Sequence, residues 1–119
     1  NCKFMIMHCV ASYPADENEL NLNLISVLKT KYKCGIGYSG HEKSVTPSVI
    51  AAVIGAEAIE RHITLDRTEW GTDQAASLEI NGLSKLSTLL KKVNLIKGDG
   101  KKRNLKKENK KLSNLIYWK

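Results

Sequence analysis

The sequence predicts an α/β protein whose parallel strands are joined by helical crossovers. Three short apolar, strand-like runs are each followed by a helical pattern, and no hairpin signal joins one strand to the next. Three such units cannot close a sheet by themselves. Periodicity leaves two architectures open, an open sheet or the last three of the eight units of a barrel.

The elements follow in order. Phe4–His8 (FMIMH) is the first strand-like run, and a turn is expected at Tyr13–Pro14–Ala15. The stretch ENELNLNLISVLKTKYK then places Leu20, Leu24, Ile25 and Leu28 on one helical stripe. Its acidic residues come first and its lysines last, as the helix dipole prefers. Cys34–Tyr38 is the second strand, bounded by glycines. Thr46 is expected to cap a helix with Pro47 in its first turn, and SVIAAVI runs to Gly55, a natural stop. Ala58–Ile63 is the third strand, and Leu83, Leu86, Leu90 and Val93 mark a third amphipathic helix that ends near Gly98.

Composition narrows the function classes. A chain of 119 residues with 42% apolar and 26% charged residues suits one soluble globular domain. No apolar run approaches the roughly 20 residues of a membrane span. The opening NCKFMIMHCVA lacks the pattern of a signal peptide, and the start without methionine predicts the C-terminal piece of a longer protein. Cys2, Cys9 and Cys34 form no CxxC pair, which predicts reduced, mostly buried thiols and a cytoplasmic location. Of the net charge of +7, residues 1–98 supply 11 Lys+Arg against 10 Asp+Glu, whereas residues 99–119 supply 8 against 2. The excess therefore sits in GKKRNLKKENKKLSNLIYWK. Phosphate gripping with stacking by Tyr117 and Trp118 is one reading of that tail. The preferred one is a solvated, lysine-rich helix docked through Leu112, Leu115, Ile116 and Trp118, because one short tail lacks the interleaved basic and aromatic surface of a dedicated nucleic-acid binder.

The strand ends read HCVASYP, GYSGHE and ERHITLD, so each run finishes in a polar cluster. Active sites of parallel α/β proteins gather at the C-terminal ends of strands, which favours a shared site for His41 and His62. Two imidazoles make an open metal site, with positions left for water or substrate oxygens, suited to Mn, Mg or Zn as a Lewis acid. His8 lies within an apolar run and is expected to be a buried, hydrogen-bonded histidine. Arg61 is expected to face the helices, since alternate strand residues point to opposite sides.

The motifs GYSGHE, AAVIGAEAIERHITLDRT and GTDQAASLE resemble, in order, separation and flanking residues, the last third of the catalytic barrel of sialic acid synthases. The resemblance implies the last three βα units of a TIM (β/α)8 barrel over residues 1–100. Residues 101–119 are expected to form a basic tail, with no antifreeze-like domain of the kind that family members commonly carry. It implies a metal-dependent condensation of phosphoenolpyruvate with an N-acetylated aldose, in a likewise homodimeric complete protein. Residue by residue, it implies that His41 and His62 hold a divalent metal, Mn2+ first and Mg2+ as the alternative. It assigns Ser39 to the phosphate of phosphoenolpyruvate, and Tyr13 and Asp73 to the acetamido-sugar, Asp73 also reaching a metal-bound water. Ala11 stands where many relatives have Asn or Ser, a departure at one phosphate contact. Without the resemblance, Asp73 reads as a carboxylate capping the turn Gly71–Thr72–Asp73. The competing functional class is a non-catalytic module whose basic tail binds an acidic partner.

Overall fold

The structure is a computed structural model and describes residues 2–115. Its centre is a parallel sheet of three strands in the order β1 (Met5–Cys9), β2 (Gly35–Gly40) and β3 (Ile59–Arg61). Helices α1 (Leu24–Lys31), α2 (Thr46–Ile54) and α3 (Ile80–Lys97) follow the three strands in turn, and α4 (Lys106–Leu115) lies in the tail. The strand–helix alternation expected from sequence is therefore present, with parallel pairing throughout.

Alternation along β2 sorts its side chains between two faces. Ile36 and Tyr38 point to the helices and join Ile25 of α1 and Ala51 of α2 in a core that excludes solvent. Ile6, Leu28, Ile54 and Ile59 extend it from the neighbouring elements. Gly37 lies on the opposite face, where a Cβ would stand 2.4 Å from Met7 Sδ. Met7 thus covers that point of the sheet only because residue 37 has no side chain.

Boundaries moved for identifiable reasons. The first helix does not run from Glu17: a 3-10 turn at Glu17–Glu19 is separated from α1 by Asn21, whose φ of 44° is left-handed. Asparagine tolerates that conformation better than most residues. The break leaves the Leu20 carbonyl facing β1, where it bonds His8 Nε2 at 2.7 Å, and His8 is buried as expected. Thr46 is the first residue of α2 rather than its cap, because Ser44 Oγ accepts the Thr46 N–H at 3.1 Å. At the other end of α2, Gly55 adopts φ 118°, and Lys29 Nζ donates to its carbonyl at 2.8 Å. β2 continues to Gly40, whereas β3 stops at Arg61 and the chain resumes pairing only at Ile63, opposite Leu78.

Two expectations fail. Cys2 and Cys9 are exposed and Cys34 is only partly covered: Cys2 precedes β1, Cys9 lies at its end on the face away from the helices, and Cys34 borders the helix-side core at the start of β2. In the tail, Leu112 and Leu115 are 46% and 62% exposed rather than docked. Gly98 and Gly100, with φ of 59° and 72°, turn the chain away from α3. The tail's carboxylates then pair locally, Asp99 with Arg103 and Glu108 with Lys102. Ile116, Tyr117 and Trp118 lie outside the described residues.

Three outcomes follow from this packing. Ile25→Ala should destabilise the protein by about 2–5 kcal/mol, read from denaturant midpoints, because the helix–sheet core cannot close over the cavity. Gly55→Ala should lose about 1–2 kcal/mol through its left-handed φ. Burial, aided by the bond to Glu42, pushes the Tyr38 phenol well above the ordinary tyrosine range. Up to the unfolded pKa of about 10 this group leaves stability flat. Above it the unfolded chain gives up the proton first, so unfolding free energy should fall with rising pH. A Tyr38→Phe variant should lack that alkaline slope.

Candidate active site at the strand ends

Strand register determines which groups meet. Cys9, Ser39 and Glu60 are cross-strand neighbours, and two residues further on the same face continues as His41 and His62. Ser39 is buried and its hydroxyl donates to Glu60 Oε1 at 2.6 Å. Above that row the imidazoles of His41 and His62 have centroids 5.2 Å apart. Tyr13, from the turn after β1, closes the group: its ring lies 4.3 Å from that of His41 and 5.8 Å from that of His62.

His41 is 4% exposed, and its Nδ1 lies 3.0 Å from the Val10 carbonyl. A carbonyl only accepts, so Nδ1 carries the proton and Nε2 keeps its lone pair. Cys9 Sγ lies 3.7 Å from the same Nδ1. The His41 carbonyl accepts the Ala15 N–H at 3.0 Å, tying the Tyr13 turn to β2. His62 is more open, with 41% of its side chain exposed.

Asp73 reaches the cluster through a fold of the long β3–α3 loop. Leu78 N donates to the His62 carbonyl at 2.8 Å, and Thr64 N to the Leu78 carbonyl at 2.9 Å. These bonds bring the loop back alongside the strand end, with Asp73 Oδ2 4.0 Å from His62 Nδ1. That separation is too long for a direct hydrogen bond and short enough for a shared water. The turn after Asp73 uses its backbone carbonyl, which accepts from Ala76 N and Ser77 Oγ, and no cap bond from its side chain. The carboxylate is thus not spent on the turn.

Four of the five residues singled out from sequence, Tyr13, His41, His62 and Asp73, therefore form one cluster, and Ser39 lies one layer beneath. Two further groups join the site and its backing. Glu60, two residues before His62, lies on the same strand face and beside Ser39, a position that two-residue alternation makes legible. Glu42 is fully buried against Arg61, with Nη1 to Oε1 at 2.8 Å. A glutamate directly after a histidine carries no such signal in sequence. Arg61 does face the helices, and burial pulls its guanidinium below the ordinary arginine range while Glu42 opposes that shift. Ser12, beside Ala11, turns its hydroxyl to the Pro14 carbonyl.

The donor set fits a divalent metal. His41 presents a free Nε2, and the two rings are close enough for one ion to take a nitrogen from each; imidazole nitrogen favours Zn2+, so Mn2+ or Mg2+ would draw its remaining, oxygen ligands from water or substrate. Among the described residues no third His, Cys, Asp or Glu completes a group of three that could hold an ion. The chain thus supplies an open pair rather than a closed structural set.

Comparison with known proteins shows the family. The chain is 47% identical over 88 residues to the N-acetylneuraminate-9-phosphate synthase of Drosophila melanogaster, covering 73% of this chain and 24% of that protein. It is 39% identical over 108 residues to the N,N'-diacetyllegionaminic acid synthase of Campylobacter jejuni, covering 91% of this chain and 32% of that protein. The crystal structure of an N-acetylneuraminic acid (sialic acid) synthetase from Leptospira borgpetersenii, in complex with citrate, superposes with a TM-score of 0.80 at 39% identity, over 96% of this chain and 40% of that one. The chain spans about a quarter to two fifths of these relatives, and its three-stranded parallel sheet is consistent with part of their TIM barrel. With the NeuB family model matching residues 1–102, the chain belongs to the NeuB family of sialic acid synthase relatives.

Proposed function

We propose that this chain supplies the metal-holding end of a nonulosonic acid synthase that condenses phosphoenolpyruvate with an N-acetylated aldose such as N-acetylmannosamine and releases phosphate. The single observation that carries the reading is the meeting of His41 and His62, from two different strand ends, beside Tyr13. It draws further support from relatives named as synthases of this class.

In this reading His41 and His62 hold Mn2+, with Mg2+ as the alternative, and the ion when bound supplies Lewis-acid polarisation of a carbonyl oxygen. Tyr13 walls one side of the imidazole pair and offers its ring to the sugar. The Asp73 carboxylate, free of the turn, accepts hydrogen bonds from sugar hydroxyls or orients a water beside His62. Ser39 meets the phosphate of phosphoenolpyruvate only by releasing Glu60, whose carboxylate otherwise holds its hydroxyl proton. The complete protein is read as a cytoplasmic homodimer. Among the described residues no helix is long and apolar enough to cross a membrane.

Two measurements test this. In the full-length protein, His41→Ala and His62→Ala should each abolish Mn2+-dependent turnover and weaken Mn2+ binding in a calorimetric titration. His8→Ala should lower the melting temperature and spare metal affinity, because His8 bonds the Leu20 carbonyl on the helix side of the sheet. Unchanged Mn2+ affinity in both ligand variants would defeat the assignment.

The second class, a basic tail gripping an acidic partner, draws on the exposure of α4. Lys→Gln at 101, 102, 106, 107, 110 and 111 discriminates between the two. Turnover should stay nearly intact, since exposed charges contribute little. Tight, salt-sensitive retention of DNA or RNA by the parent, lost with these charges and accompanied by no synthase activity, would favour the tail.

A further inference from the structure

We propose that the buried Glu42–Arg61 pair positions the two histidines relative to each other, acting as a lock across the mouth of the site. The proposal rests on the metal-site reading above. Glu42 directly follows His41 and Arg61 directly precedes His62, so each ion is one peptide from an imidazole. Both side chains are shielded, with 0% and 2% exposure.

The backbone by itself does not hold these histidines together. Ladder pairing of β2 with β3 ends at Gly40 opposite Arg61, one residue short of both. Beyond that point the His62 carbonyl bonds Leu78, and the His41 carbonyl bonds Ala15. Each histidine is thus tied to a different loop. The Arg61 guanidinium spans the gap. Its Nη1 donates to Glu42 Oε1 at 2.8 Å, to the Ser44 carbonyl at 2.8 Å and to Ser48 Oγ at 3.0 Å. Nη2 donates to the Glu42 carbonyl. One side chain of β3 therefore grips the backbone on which His41 is mounted. The second Glu42 oxygen accepts the Tyr38 hydroxyl at 2.8 Å, which anchors the carboxylate to β2.

Stability does not account for such a pair. Burying two charges forfeits hydration that their attraction repays only partly, and apolar replacements of similar volume are often neutral or better. Arg61 also keeps a buried Nε without a partner. An apolar pair would fill the space but would not hold the carbonyls of Glu42 and Ser44. Arg61 and Glu42 are positioning residues, since neither reaches the face on which the imidazoles lie.

The test uses the full-length protein and four variants: Glu42→Met with Arg61→Met together, Arg61→Lys alone, and His41→Ala and His62→Ala as site controls. Mn2+ affinity is titrated at a temperature where each variant is folded, and proximity of the two imidazoles is read without metal from nuclear Overhauser contacts. The double variant should remain folded, lose the ring-to-ring contact and bind Mn2+ about 10- to 100-fold more weakly, the range seen when groups orienting a metal ligand are removed. Arg61→Lys should show the same change in smaller degree, because an ammonium lacks the planar fork. A folded double variant with parental affinity and ring contact would overturn the proposal. Should the double variant not fold, parental values in Arg61→Lys would overturn it equally. If the parent binds no Mn2+ more tightly than the alanine controls, the metal reading falls, and the ring contact alone decides the lock.

Discussion

A guanidinium and a carboxylate, both closed off from water, sit where β3 meets the loop leaving β2, and most of the fold converges on them. Arg61 comes from β3, Glu42 from the β2–α2 loop, Tyr38 from β2 and Ser48 from the first turns of α2. The apolar core of Ile25, Ile36, Tyr38 and Ala51 lies on the same side of the sheet. Burial makes these polar contacts strong and makes the loss of any one of them severe, because the remaining charge would be left without water or partner. The pair is therefore a constraint on geometry before it is a source of stability.

The two faces of the sheet divide the labour that this constraint permits. On the helix side, alternate residues pack or lock: His8 onto the Leu20 carbonyl, Tyr38 and Arg61 onto Glu42. On the opposite side the intervening residues Cys9, Ser39, Glu60, His41 and His62 present sulfur, oxygen and nitrogen. A rigid backing thus fixes a chemically varied front, which is what a site needs if its groups are to be held in place before substrate arrives.

The same arrangement explains why the chain exposes so much apolar surface. Phe4, Ile63, Leu65, Ile80 and Trp70 are all more than 60% exposed, around the outer strands and the β3–α3 loop. β1 and β3 each pair on one edge only within the described residues. An unpaired strand edge presents free N–H and C=O groups, which a closed barrel pairs all round. The family relation supplies the context: these relatives are about two and a half to three times as long, and this chain matches a part of them.

Sequence alone determined the class of the fold and the residues at which to look. Two-residue alternation and helical stripes are local properties, so parallel βα units were legible, and so was the helix-facing direction of Arg61. Clustering of polar residues at three strand ends likewise pointed to His41 and His62, and the resemblance to sialic acid synthases added Tyr13. What local pattern could not carry was distance between chain segments. The bond from Leu78 to the His62 carbonyl brings Asp73 home across a loop with no periodicity, and Asn21 breaks a helix that its neighbours' stripe predicts unbroken. The exposure of Cys9 and of Leu112 depends on what covers them, which no residue reports about itself. The partnership of Glu42 with Arg61 spans nineteen residues and joins two ordinary surface-type side chains; only packing the strand end against the loop removes water from both and turns them into a pair.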